Sequence, residues 1–314
     1  MHNGNLQRKF MIGEIILLSA SILWGSCFLF QKKGMDYIGP FTLGSFRFLI
    51  GGILLIPVIY VMHSIDRKKN NARQQRKNGL IKSGMSCGIA LFFGASLQQV
   101  GLIYTTSGKA GFITSMEMIV VTIITVFITK KISVNVMIGI GAAVAGMYFL
   151  CLGNGISFQI GDAIVLSASI FYGFQIILID KYSKWYNVIE LSFIEFMTSG
   201  ILSVLFMILL EEAKLNNIIL AAGSIIYTSV IEVAVCYTLQ MVGQKYVPPV
   251  IASVTLTMQS VFAVIFGVII LSEPITVKEV CGCIFILAAV IIVQMPAKIS
   301  YGFDKKADYE KHTV

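Results

Sequence analysis

Leu97-Gln98-Gln99-Val100-Gly101-Leu102-Ile103-Tyr104, which closes one apolar stretch, is written again as Leu239-Gln240-Met241-Val242-Gly243-Gln244-Lys245-Tyr246. Gln98, Gly101, Tyr104 and, further on, Ala110 fall on Gln240, Gly243, Tyr246 and Ala252 at a spacing of 142. Toward the N-terminus the register becomes 148: Trp24-Gly25 falls on Tyr172-Gly173, Lys33 on Lys181, Phe48 on Phe196 and Gly52 on Gly200. The six-residue difference lies in one loop, longer in the first half. The chain therefore reads as a duplication with five apolar stretches per copy. Five is odd, so the second copy enters a membrane upside down relative to the first. Inverted repeats of this kind are a ground plan of secondary transporters, with the binding site near the midplane between the copies.

Composition agrees. Only 13% of the residues are charged and 56% are hydrophobic, and the mean hydropathy is +0.83, whereas soluble domains carry roughly 25% charged residues. A membrane-crossing helix needs about 20 mostly apolar residues. Such stretches run 11–31, 40–62, 83–104, 111–129, 134–152, 160–180, 188–210, 218–240, 250–270 and 277–295. The expected fold is an all-α integral membrane protein of ten transmembrane helices in two inverted five-helix repeats. Residues 1–152 and 153–296 form the repeats, 63–82 a cytoplasmic loop, and 297–314 a cytoplasmic tail, polar, charged and read as disordered. The first apolar run is too long for a cleavable signal and continues into Phe28-Leu29-Phe30, so it is read as the first helix.

The net charge of +8 is a topology signal and not a nucleic-acid one. With the N-terminus in the cytoplasm, eighteen Lys and Arg residues fall inside, among them Arg67, Lys68, Lys69, Lys130, Lys181, Lys184 and Lys245. Only Lys32, Lys33, Lys109, Lys214 and Lys278 fall outside. That is a positive-inside bias, and ten crossings return the C-terminus to the cytoplasm. Residue 70 is expected inside and residue 156 outside. The expected location is a plasma membrane, the bacterial inner membrane, and the expected partners are the lipid bilayer and a small-molecule substrate.

The six cysteines lie in apolar segments without metal spacing and read as small packing residues. Pro57 is the one proline deep in a span, so proline does not announce interrupted helices. Gly139-x-Gly141-Ala142-Ala143-x-Ala145-Gly146 makes a small-residue face that lets helices pack closely, within the chain or in a homodimer.

Charges at mid-membrane cost roughly 2.5–3.5 kcal/mol on insertion scales, so each needs a partner or water. Four lie deep: Arg47, Glu117, Glu195 and Glu232. Glu14 and Asp162 stand near helix starts, within reach of the interface. Arg47 and Glu117 lie seven and six residues from the outer ends of their helices, both roughly 10 Å deep at 1.5 Å per residue, a depth at which the two can pair. That pair reads either as structural or as a contact for a zwitterionic substrate or a proton. Glu232, with Ala90 at its matching position, has no evident partner. It reads as a proton-exchanging group, a carboxyl bonded across helices, or a substrate ligand. Arg47, Glu117, Glu195 and Glu232 are thus candidates for coupling or for structural ion pairs. Among the amides, Gln99, Gln175 and Gln259 read as cavity residues, and Gln98 and Gln240, at span ends, as structural. Trp24 and Tyr172 sit mid-span, away from the interfaces where aromatic belts lie, and read as cavity wall or core. The expected substrate-binding residues are Trp24, Gln99, Glu117, Tyr172, Gln175, Glu232 and Gln259.

No phosphate-binding loop, dinucleotide fingerprint or metalloprotease signature is present, and no cofactor or metal is implied. No nucleophile and base stand at workable spacing for a membrane-embedded enzyme, and no soluble output domain marks a sensor. A facilitative channel-like pore stays open.

Leu23-Trp24-Gly25-Ser26, Ser45-Phe46-Arg47-Phe48 and the run from Gly101 to Thr114 resemble the EamA-type drug/metabolite transporter superfamily. Leu271-Ser272-Glu273-Pro274-Ile275-Thr276 is similar to its Gly-Glu-x-Leu-Thr turn. The resemblance covers residues 11–296 and implies ten helices, both termini inside, and export or exchange of amino acids, related metabolites or drug-like compounds by alternating access around a central cavity. The chain departs from the pattern at Gln259-Ser260, where relatives carry Glu-Pro, and at Lys131, where the turn glutamate is replaced.

Overall fold

Apolar side chains cover much of the outside, and charged and amide side chains are buried among the apolar core inside. In the computed structural model, which describes residues 2–68, 79–105, 107–130, 132–151, 159–271 and 276–295, Phe127, Ile208 and Val277 are 79%, 71% and 80% exposed. Arg47 and Glu195 are both 0% exposed. That inversion suits a chain solvated by lipid, where polar groups must find partners among themselves.

Every element among the described residues is a helix: α1 (His2–Met35), α2 (Pro40–Lys68), α3 (Leu80–Ile103), α4 (Ser107–Thr114), α5 (Glu117–Thr129), α6 (Val134–Cys151), α7 (Ile160–Tyr182), α8 (Val188–Leu210), α9 (Leu215–Leu220), α10 (Ala222–Tyr227), a π-helical segment (Thr228–Tyr237), α11 (Thr238–Gln244), α12 (Pro249–Leu256), α13 (Met258–Leu271) and α14 (Val277–Gln294). Among the described residues eight segments are long and apolar enough to cross a membrane. The stretches expected as fifth and tenth spans are shorter apolar helices, Val134–Phe149 and Val280–Gln294. Residues 70 and 156, the 271–276 turn except Leu271 and Thr276, and the 297–314 tail lie outside the described residues.

α1 runs against α13, α11, α12 and the π segment; α2 packs on α8 and the π segment, and α3 on α7 and α8. α6 and α14 form the closest pair. A Cβ at Gly139 would meet Val293 at 2.2 Å, and one at Gly146 the Gly282 carbonyl at 2.7 Å. The small-residue face of α6 is thus used inside the chain, while Gly141 has nothing within 4 Å.

Two crossings are interrupted without proline. Between α4 and α5 the amides of Ser115, Met116, Met118 and Ile119 bond three residues back, to Phe112, Ile113, Ser115 and Met116. Between α12 and α13 the amides of Thr257 and Ser260 do the same, to Val254 and Thr257. Hydroxyls at the breaks bond back to the same turns of backbone: Thr114 Oγ1 donates to Ala110 O, Ser115 Oγ to Gly111 O, and Thr257 Oγ1 to Val254 O. Such back-bonding bends helices. The last residues before the breaks, Thr114 and Leu256, stand 142 apart. The breaks also touch, with Ser260 Oγ 3.1 Å from Ser115 Oγ and donating to Gly111 O.

Helix termini tie distant segments together. Gly39, before α2, offers no capping side chain, and Glu211 from the end of α8 supplies one. Its carboxylate accepts from Phe41 N at 2.8 Å, Thr42 N at 2.7 Å and Thr42 Oγ1 at 2.6 Å. At the matching start of α8, Asn187 caps its own helix. Glu14 and Asp162 do not simply reach toward an interface. Glu14 is buried and accepts from Thr255 Oγ1 and Gln294 Nε2. Asp162 caps α7 through Gln159 N and accepts from Thr105 Oγ1.

Candidate functional site

The interruptions bring polar residues to one cavity. Glu117 opens α5 and Gln259 stands in the first turn of α13, so each lies just past its break. Both face the cavity with Trp24 of α1, Tyr172 and Gln175 of α7 and Glu232 of the π segment. Six of the seven expected residues therefore share one space, with walls from both halves of the sequence. Gln99 is the exception: its Nε2 donates to Gln31 Oε1 at 2.6 Å, and Gln31 is the one that lines the cavity.

The wall also holds residues beyond those the sequence singles out. Gln98 is a wall residue and not merely a structural one: it accepts from Tyr172 OH at 2.9 Å and donates to Thr114 Oγ1 at 2.9 Å. Gln240 also lines the cavity, and its Oε1 has no partner. Phe28 and Gln31 follow Trp24 at four and seven residues, one face of α1; that spacing was the signal available in the sequence. Tyr237 meets Trp24 edge-on, with ring centroids 4.9 Å apart.

The charged residues pair differently from expectation. Arg47 Nη1 donates to Glu232 Oε1 at 2.8 Å in an ion pair that is almost wholly buried. Arg47 does not pair with Glu117, and Glu232 is not without a partner. Two features of the backbone allow this. The π turn carries one extra residue per turn and re-aims the side chains along it. Gly51, one helical turn beyond Arg47, lets α2 close on the π segment, since a Cβ there would meet Val233 Cγ1 at 2.4 Å. Arg47 also lies 4.8 Å from the Phe48 ring centroid. Glu195 joins no ion pair among the described residues; its Oε1 accepts from Gln175 Nε2 at 2.8 Å and its Oε2 is unpartnered. Glu117 has neither a hydrogen bond nor an ion pair among the described residues.

The cavity is narrow. About 30 Å³ is open to the centre of a water molecule, room for one or two waters. A metabolite fits only if the walls part.

The arrangement can be set beside known proteins. The model of the EamA-like transporter family matches residues 11–152 and 159–295. An uncharacterized transporter of Archaeoglobus fulgidus is 31% identical over 91% of this chain and 87% of its own length. The uncharacterized transporter YoaV of Bacillus subtilis is 21% identical over 90% of this chain and 96% of its own. A solved crystal structure, 14% identical, superposes with a TM-score of 0.72 over 91% of this chain and 98% of that one, which shows a shared fold. Matched by one family along nearly all of its length, and built of apolar helices around a polar interior, the chain belongs to the EamA-like transporter family of membrane proteins.

Proposed function

We propose that the protein is a secondary transporter of small metabolites that works by alternating access around the cavity between its two halves. The observation that carries this reading is the placement of both helix breaks, 142 residues apart, at one narrow polar cavity. Interrupted helices at the meeting of inverted repeats are where transporters hold substrate, because irregular backbone survives at membrane depth only where it lines a cavity. The cavity is too small for a metabolite in this conformation, which suits a cycle in which the walls part on one side at a time. The shorter α6 and α14, paired side by side, complete ten crossings as two five-helix repeats.

Reconstituted protein preloaded with unlabelled compounds, chosen by thermal-shift screening of amino acids and related metabolites, is expected to show counterflow of the labelled compound that saturates with concentration. Flux that rises linearly and is indifferent to the trans side would mean a pore instead.

The positive-inside bias supports an orientation with both termini in the cytoplasm, and a plasma membrane is the location that goes with this reading. In a cysteine-free background, Lys184→Cys is expected to react with an impermeant maleimide only from the cytoplasmic face, and Lys214→Cys only from outside. Labelling on the reverse faces would refute the orientation.

A further inference from the structure

Carboxyls outnumber cations around the cavity. Glu117 and Glu232 line it, and Glu195 stands directly behind Gln175. Arg47 stands behind the wall: it is 0% exposed, is not part of the lining and is engaged by Glu232. Among the described residues no lysine, arginine or histidine lines the space. Glu232 is thus balanced, Glu195 is held by an amide, and Glu117 faces the cavity with no donor or cation from the described residues. The amide N–H groups at the start of α5 lend Glu117 about half a charge at most.

The rest of the lining points the same way. Trp24, Tyr172 and Tyr237 present aromatic rings, which attract cations through their quadrupoles. The unpartnered Gln240 Oε1 is an acceptor. A carboxylate brought into this space would meet two carboxyls and no counter-ion. A cationic group would complete Glu117.

We propose that the transported molecule is an organic amine bearing a protonated ammonium and no carboxylate, with the ammonium against Glu117 and its apolar part among Trp24, Tyr172 and Tyr237. This rests on the transporter reading above.

The test compares phenethylamine, phenylalanine and 3-phenylpropanoate, together with benzyltrimethylammonium and butylamine, on the purified full chain. Ligand-induced thermal stabilisation is expected at roughly tenfold lower concentration for the cations than for the zwitterion or the anion, a difference of about 1.4 kcal/mol. Glu117→Gln, of nearly equal shape, is expected to lose the stabilisation by cations while unfolding near the wild-type midpoint. Should it not fold, Gln259→Glu, which adds a carboxyl across the same cavity, is expected to strengthen cation binding instead. Better binding of phenylalanine or 3-phenylpropanoate, no binding of any cation, or unchanged cation binding in the variants overturns the assignment. Saturable counterflow of a zwitterion or anion alone would leave the transporter standing and remove the amine. Cation binding that depends on Glu117 without counterflow would do the opposite.

Discussion

Arg47→Leu is expected to lower stability by about 3–5 kcal/mol, because it leaves the buried Glu232 carboxylate without its cation, beside a cavity with room for only one or two waters. The double variant Arg47→Leu/Glu232→Leu is expected to return to within about 1–2 kcal/mol of the wild type, since apolar replacement of a buried pair is often neutral. The geometry argues for a large coupling: a 2.8 Å contact, both side chains almost fully buried, and no second carboxylate on the arginine. Among the described residues Arg47 Nε and Nη2 and Glu232 Oε2 have no hydrogen-bond partner, so the Nη1–Oε1 contact is the main link between the two charges. Thermal unfolding of detergent-purified protein in a double-mutant cycle measures the coupling directly. Glu117→Gln serves as the control. If the pairing were Arg47 with Glu117, that substitution would rescue Arg47→Leu; here it should not. Additive single effects would show that the Arg47–Glu232 contact contributes little.

The mistaken partner for Arg47 shows what sequence can and cannot supply. Depth along a helix is read by counting residues from its end, and the count for helix 8 began at residue 218. The structure ends a separate short helix, α9, at Leu220, and the crossing helix starts at Ala222. Four residues at 1.5 Å each put Glu232 roughly 6 Å too deep, beyond reach of Arg47, and left Glu117 as the apparent partner. Nothing in the apolar run marks the turn at Ala221 or the π segment. Gln98 and Gln99 pose the complementary problem. Their depth is nearly the same, but neighbours on a helix point about 100° apart, and a helix apolar all round gives no sign of which side faces the cavity. Trp24, Glu117, Tyr172 and Gln259 needed no azimuth to be singled out, because polar or amphipathic groups in mid-span are costly wherever they point. The interrupted helices were legible in principle. Thr114-Ser115-Met116-Glu117 and Leu256-Thr257-Met258-Gln259 align at 142, but the signal was hydroxyls and not proline.

Gly25→Ala is expected to cut transport by about tenfold or more and to cost stability near the upper end of the 1–3 kcal/mol typical of overpacking. Gly173→Ala is expected to be milder. The two glycines are 148 apart and their contacts, Phe262 and Val120, are 142 apart, so one helix crossing occurs twice, α1 on α13 and α7 on α5. The neighbours differ in kind. A Cβ on Gly25 would lie 2.6 Å from Phe262 Cβ and 2.8 Å from both Phe262 C and Ala263 N, so the backbone of α13 itself must move. A Cβ on Gly173 would meet Val120 Cγ1 at 2.7 Å and Cβ at 2.8 Å, but the nearest backbone atom of α5, Glu117 O, lies at 3.4 Å, so α5 has less far to give than α13. Alanine also returns up to about 1 kcal/mol of helix propensity at either site, enough to offset much of the smaller clash and little of the larger. Trp24 and Tyr172, the residues just before these glycines, face the cavity, and Gln259 stands three residues before Phe262 on the helix that must give way. Displacing α13 from α1 therefore moves two walls of the site at once, whereas the smaller local adjustment of α5 about Val120 moves Glu117 less. Counterflow rates compared with unfolding midpoints separate the effects. A Gly25→Ala protein that is stable and fully active would mean that α1 and α13 are not in backbone contact during the cycle, and equal losses at both glycines would mean that the rigidity of the neighbour does not decide the outcome.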